Sequence, residues 1–255
     1  MNAVERIRSG FADAGRRRAL SVSGGEVVEL DGLEMMFSNL PDEGQNAGLV
    51  TGSPADPAAT IAVAAAAADE RGHPLGLEVE RGRFPELEAA LTDAGLTKLF
   101  AKPALAADPR SMWRPAPPPG LHVSSVIDDT GRAAMVSVET ETFGTDLEVA
   151  RGMFSRRMLE DDGTRALIGM LDRRPVAQAI AYHHDGAVGV YGVGVRASAR
   201  RRGIGGAMTV LAASSFPDAD LVWLHPTDMA RSMYERLGFH EVALWDVWTR
   251  PDTAS

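Results

Sequence analysis

Eight consecutive residues, Arg200-Arg201-Arg202-Gly203-Ile204-Gly205-Gly206-Ala207, have types and spacing that could hold a phosphorylated ligand. They follow an extended apolar run, Ala187 to Val195, and open an apolar segment rich in small residues. A glycine-bearing turn between a strand and a helix presents several backbone N–H groups at the positive end of a helix dipole, and such an arrangement holds a diphosphate. The three arginines add charge for further phosphate. About thirty residues later comes Met233-Tyr234-Glu235-Arg236-Leu237-Gly238-Phe239, a tyrosine on a helix that ends at Gly-Phe. Two other phosphate loops fit worse. A P-loop closes on Gly-Lys-(Ser/Thr), which does not follow Gly203, and Gly192-Val193-Gly194 opens like a dinucleotide fingerprint but has Ala197 where the third glycine belongs.

Acid–base chemistry has a candidate in His225, at the carboxyl end of the run Leu221 to Leu224, because an imidazole titrates near neutrality. His183 and His184 are neighbours, so in a strand they point to opposite faces and cannot chelate one ion; beside a hairpin turn they read as solvated. No His/Asp/Glu spacing suggests a metal, and there is no Gly-x-Ser-x-Gly elbow. The chain has no cysteine, which excludes disulfides and any acyl-cysteine intermediate and is compatible with a reducing, cytoplasmic setting. A net charge of −9 argues against nucleic acid as the main partner and makes the basic cluster at 200–202 a local reversal suited to a small anion.

The elements that must position these residues follow from local pattern. Val123 to Met135 reads as a strand leading into a helix, with helical spacing resuming over 139–143 and 147–159. Arg165 to Met170 and Val176 to Tyr182 read as strands, and Asp185-Gly186 is a two-residue hairpin turn into Ala187 to Val195. Glycines at 189, 192 and 194 in that last strand invite a bulge or a close backbone approach. A helix from Gly205, the strand Leu221 to Leu224, the tyrosine helix and a strand over Glu241 to Trp248 complete the half. The alanine-rich run Ile61 to Ala68 is too short to span a bilayer, and no signal peptide follows the N-terminal arginines. Residues 4–11 predict an exposed amphipathic helix with Val4, Ile7 and Phe11 on one face.

Six of the fifteen prolines lie between Pro103 and Pro119, so 103–120 reads as an extended connector, neither helix nor central strand, dividing domains 1–114 and 115–255. The first half reads as an echo of the second. Gly95-Leu96 and Gly238-Phe239 both close a helix and stand 143 residues apart. The same offset pairs Ala47 to Val50 with Val190 to Val193, and the alanine helix with the Gly205 helix. It also sets Pro57, Thr60, Ala62 and Leu91 against Arg200, Gly203, Gly205 and Tyr234, so the first half keeps the outline and loses the ligand-binding features.

Together these motifs resemble the GCN5-related N-acetyltransferases, the GNAT family, whose loop reads (Gln/Arg)-x-x-Gly-x-(Gly/Ala), here Arg200-x-x-Gly203-x-Gly205. The resemblance implies an α/β fold of two GNAT-like domains in tandem, each a mixed, mostly antiparallel twisted sheet flanked by helices. The first is a degenerate copy that covers the catalytic half or shapes its cleft. Acetyl-CoA is the implied co-substrate, with no metal. Arg200, Arg201, Arg202, Gly203, Ile204, Gly205, Gly206 and Ala207 would take its diphosphate, and backbone groups of Val193, Gly194 and Val195 its pantetheine arm, in a gap where that strand splays from Leu221 to Leu224. Ala230 and Thr227 would lie along the arm, Thr227 standing where the family often has asparagine. By position Tyr234 would protonate the leaving thiolate, while Glu139 and Glu141 would border the acceptor. The general base stays open among His225, Glu139 and Glu141.

The function implied is transfer of an acetyl group to a primary amine by direct attack in a ternary complex. The acceptor would be a small molecule or a peptide, with no nucleic acid and no membrane as partner and a homodimer as an option, since Trp223, Trp245 and Trp248 could line a contact or the core. The alternatives are a non-catalytic acyl-CoA sensor and a transferase using charged tRNA, the latter disfavoured by the acidic balance.

Overall fold

The computed structural model describes residues 1–250 as two compact units. The first comprises Met1–Ala14 and Leu105–Glu241, the second Gly15–Ala104 and, of the described residues, 242–250. No helix of the described residues is long and apolar enough to cross a membrane.

In the first unit, strands β6 (Leu121–Ser125), β7 (Thr164–Leu171), β8 (Arg174–His184) and β9 (Ala187–Val195) pair antiparallel in that order. Strand β10 (Leu221–Leu224) joins β9 in parallel after the crossover helix α7 (Ile204–Ala213). The other side of β10 is taken by Leu105–Ala107, the end of β5 (Thr97–Ala107), antiparallel. Side-chain alternation gives the sheet two covered faces. Ala177, Ala179 and Ala181 of β8 share a core with Ile204 and Met208 of α7 and with Tyr234 and Leu237 of α8 (Asp228–Leu237). Ile180 and Tyr182 point the other way, to Met135 and Val138 of α4 (Asp129–Phe143) and to Ala150 of α5 (Leu147–Met153). Asp128 caps α4 through the Gly131 amide (2.8 Å) and Asp146 caps α5 through Glu148 (2.8 Å), which sets where this helical layer begins.

The second unit repeats the plan. Strands β1 (Glu26–Leu30), β2 (Leu33–Phe37) and β3 (Asn46–Val50) form an antiparallel meander. The crossover helix α2 (Pro57–Glu70) leads to β4 (Gly76–Glu80), parallel to β3, and α3 (Pro85–Asp93) precedes β5. The offset of 143 residues therefore maps α3 onto α8, and β5 onto β11 (His240–Thr249). Both helices end the same way: the amides of Leu96 and Phe239 reach back five residues, to Leu91 O (2.9 Å) and Tyr234 O (3.1 Å), over a left-handed glycine.

Several expectations need correction. The strand expected over 241–248 to complete the second half, β11, pairs instead through Trp245–Thr249 with β4, while β10 takes the end of β5. Residues 103–107 are strand rather than connector, because Pro103 removes a single N–H and Leu105–Ala107 beyond it find partners. The N-terminal helix α1 (Ala3–Ser21) is packed rather than exposed, with Ile7 and Phe11 buried. Trp223, Trp245 and Trp248 are all core residues. His183 and His184 are not free in solvent: His183 stacks on Phe216 (ring centroids 4.7 Å apart) and lies 3.2 Å from Asp218, and His184 Nε2 bonds the Ser9 hydroxyl (2.9 Å).

Candidate active site

The turn between β9 and α7 is built to leave amides open. Arg200 folds its side chain back, Nε donating to Val195 O (2.9 Å), and closes the loop. Arg201 adopts a left-handed conformation (φ +61°), which costs a non-glycine residue about 1 kcal/mol or more and is characteristic of ligand clamps. Gly203 is left-handed as well (φ +78°) and serves as the N-cap of α7, yet no side chain caps that end. The amides of Ile204, Gly205 and Gly206 are therefore the first-turn donors of a helix that leaves them without a side-chain acceptor. All three arginines are exposed. In the second unit the corresponding helix is filled by its own acids: Asp56 accepts from the Ala59 amide (3.0 Å) and Asp31 from the Ala55 amide (2.6 Å). Two carboxylates stand there where an anion would have to go.

Strand β9 provides the adjoining groove. Its pairing with β10 stops at Gly189, six residues before β9 ends. Toward β8 it is bulged: Ile180 faces Tyr191 and Gln178 faces Gly194, so Gly192 and Val193 lie opposite Ala179 alone, with Gly192 at φ +55°. The bulge changes the parity of the strand. Val188 and Val190 before it, and Val193 and Val195 after it, all pack toward α7. The edge of β9 from Val190 to Val195 that would continue toward β10 carries no strand pairing among the described residues. Gly194 allows a close approach from the opposite face, where a Cβ would lie 2.8 Å from the Phe143 ring.

Tyr234 lies on α8, whose middle crosses the first turn of α7; a Cβ at Gly205 would sit 3.2 Å from Met233 Sδ. Tyr234 is 7% exposed and its hydroxyl interacts with the Thr209 side chain, while Thr209 itself donates to Gly205 O (2.9 Å). Burial pushes the Tyr234 phenol up to about 12, so it is neutral at physiological pH. Thr227 is the N-cap of α8, exposed, with no hydrogen bond from its hydroxyl among the described residues, and Ala230 sits half-buried one turn later.

The acidic candidates are engaged. Glu139, 6% exposed, accepts from the Thr145 hydroxyl (3.0 Å) and from the Gln178 amide. Glu141 is half exposed and ion-paired with Arg196, which also donates to the Ser137 hydroxyl (2.6 Å). His225, just past β10, is half-buried with its ring 4.8 Å from Phe11 and 5.5 Å from Trp223. The structure thus joins Tyr234 to the arginine loop through Thr209 and Gly205, and Glu139 to the bulge region through Gln178. It sets Glu141 with Arg196 and His225 among aromatic rings.

Sequence reasoning overlooked Thr209, Gln178, Arg196 and Phe143. One signal was legible. Thr209 stands four residues after Gly205 in a helical run, the spacing at which a threonine bonds back to a carbonyl. The position of the bulge was also legible, since the valines of β9 change from even to odd numbers between 190 and 193. The Glu139–Gln178 bond joins residues 39 apart and had no local signal.

Residues 132–239 match the acetyltransferase (GNAT) family. Among solved structures, a GCN5-related N-acetyltransferase from Kribbella flavida aligns with a TM-score of 0.78 at 24% identity, over 98% of this chain and 96% of its own. One from Sphaerobacter thermophilus aligns at 0.60 and 14%, over 88% and 83%. A tandem GNAT protein of the clavulanic acid biosynthesis pathway aligns at 0.62 and 16%, over 85% and 77%. No curated protein matches.

Proposed function

With residues 132–239 forming a domain of the GNAT acetyltransferase family, we propose that this chain transfers an acetyl group from acetyl-CoA to a primary amine. The observation that carries the reading is the pairing of open first-turn amides on α7 with three exposed arginines, in a chain of net charge −9. Ile204, Gly205 and Gly206 amides would receive the diphosphate, with charge from Arg200, Arg201 and Arg202, and Ala207 closing the first turn. The unpaired edge of β9 at Val193, Gly194 and Val195 would take the amide-bearing arm, with Thr227 and Ala230 on its other side.

The reaction needs a neutral amine, since an ammonium with pKa of about 10.4 has no lone pair. The amine nitrogen attacks the thioester carbonyl, the C–S bond breaks, and the thiolate takes a proton. A backbone N–H of the β9 bulge would face the carbonyl oxygen as its charge grows. Tyr234, neutral at working pH, would supply the sulfur with its proton, and the tyrosinate left behind would take up the proton that the acylated nitrogen sheds, which restores the phenol. Among the candidate bases, Glu141 already neutralises Arg196. Glu139, which accepts from the Thr145 hydroxyl and the Gln178 amide, would bind the incoming ammonium, and His225 would then accept its proton. Replacing Glu139 by Gln should raise the KM for amine, whereas replacing His225 by Gln should lower kcat with KM little changed. The reverse assignment of effects would exchange their roles.

A second reading, an acyl-CoA sensor without turnover, draws on one observation: the Tyr234 phenol is bonded to Thr209 inside the core. Calorimetry with acetyl-CoA tests binding, and CoA thiol release across an amine panel separates enzyme from sensor. No heat with acetyl-CoA defeats both readings.

A further inference from the structure

Trp113 is 59% exposed, an unusual state for the largest apolar side chain, and its ring has no aromatic or cationic partner among the described residues. Its backbone is nonetheless fixed from both sides. Upstream, the Asp108 carboxylate accepts from the Arg110 amide (2.8 Å), Asp108 O accepts from the Ser111 amide (3.0 Å), and Met112 is buried in the core shared by α7 and α8. At Trp113 itself the amide donates to Leu237 O (3.1 Å), at the end of α8. Downstream, Pro115 packs on the first turn of α7, its Cγ 3.6 Å from where a Cβ at Gly206 would lie, and three further prolines stiffen the chain over 117–119. An exposed indole therefore extends from a fixed backbone, two residues before the proline that packs on the helix turn offering its amides to a diphosphate. Arg114 beside it is exposed too, its guanidinium donating to Pro109 O (3.0 Å).

We propose that Trp113 is the stacking platform for the adenine of the CoA co-substrate, with Arg114 supplying charge to the ribose 3′-phosphate. The inference rests on the acyl-CoA reading above. In CoA the adenosine is esterified directly to the diphosphate, so a diphosphate at Ile204–Gly206 confines the purine to the surface next to that turn. A purine presents a π face that an indole stacks on, and the fixed backbone limits the freedom lost in doing so to that of the side chain. The site would thereby discriminate CoA from thioesters that lack the nucleotide.

The test compares CoA, adenosine 3′,5′-bisphosphate and 4′-phosphopantetheine on wild type, W113A and W113F. The other three tryptophans are buried, so Trp113 supplies the solvent-exposed part of the emission. CoA and the bisphosphate should quench that component, and phosphopantetheine should not. W113A should weaken CoA and the bisphosphate by about tenfold, the size of one base–aromatic stack, and leave phosphopantetheine unchanged, with W113F in between. Circular dichroism confirms that the variants fold. Wild-type affinity for CoA in W113A overturns the stacking role alone; wild-type protein that binds neither CoA nor the bisphosphate overturns the acyl-CoA reading with it.

Discussion

Thr209 donates its hydroxyl to Gly205 O (2.9 Å) and interacts through the same side chain with the Tyr234 phenol. A tyrosine proposed to meet sulfur is thus tied to the first turn of the helix proposed to hold phosphate.

Tyr234→Phe should lower turnover by about a hundredfold, the usual scale for losing one positioned acid, while acetyl-CoA affinity stays within a factor of two or so. Unchanged kcat would remove the phenol from the chemistry. The same variant has a stability signature. A folded phenol raised to about 12 from an ordinary value near 10 binds its proton more tightly than the unfolded chain does. Its contribution is complete below about pH 10 and is lost as the pH climbs through about 12. Urea melts of wild type and Tyr234→Phe should therefore converge in slope at neutral pH and part between pH 10 and 12, with the wild type falling faster.

Gly203 tests the loop independently of charge. A Cβ there meets nothing within 4 Å, so Gly203→Ala is penalised only by its φ of +78°. The turn should shift to relieve about 1–2 kcal/mol of strain, and acetyl-CoA binding by calorimetry should weaken about tenfold with little change in melting temperature. Titration of the wild type should give one CoA per chain, because Asp31 and Asp56 block the matching helix start in the second unit. Two equivalents would contradict that account.

Asp246, 1% exposed, receives Arg81 and lies 2.8 Å from Lys98 Nζ. The Arg81 hydrogen bonds, followed in weight by those of Lys98, hold its carboxyl below the usual range against the opposing effect of burial. A carboxyl lowered in the folded state stabilises above its unfolded pKa of about 3.9 and loses that contribution as the pH falls through the folded value. Asp246→Asn should cost about 2 kcal/mol at pH 7 and flatten the acid limb of a stability–pH curve below pH 4. An unaltered acid limb would show that the pair contributes nothing net.

Local pattern was enough for much of this molecule. Periodicity and turn chemistry placed the Asp185-Gly186 hairpin, the helix after the arginines and the tyrosine helix with its Gly238 cap. The repeat at 143 residues was also legible, since hydrophobic alternation and caps act over a few neighbours and survive duplication. Even the loss of the ligand loop in the first half could be read residue by residue at Pro57, Thr60 and Ala62.

Tertiary structure alone decided which strand each unit would use to continue its sheet. β5 and β11 are counterparts at the repeat offset, each following a glycine-capped helix, and either could satisfy the open edge of β4 or β10. The chain gives β4 the residues Trp245–Thr249 and β10 the residues Leu105–Ala107. It also set Gln178 against Glu139 and Thr209 against Tyr234, and buried Ile7 and Phe11. Strand edges offer the same N–H and C=O groups whatever the side chains, so their pairing depends on the packing of the rest of the chain. Residue type and spacing can announce a helix or a phosphate turn, but a partner brought in from far along the chain is chosen only when the whole core closes.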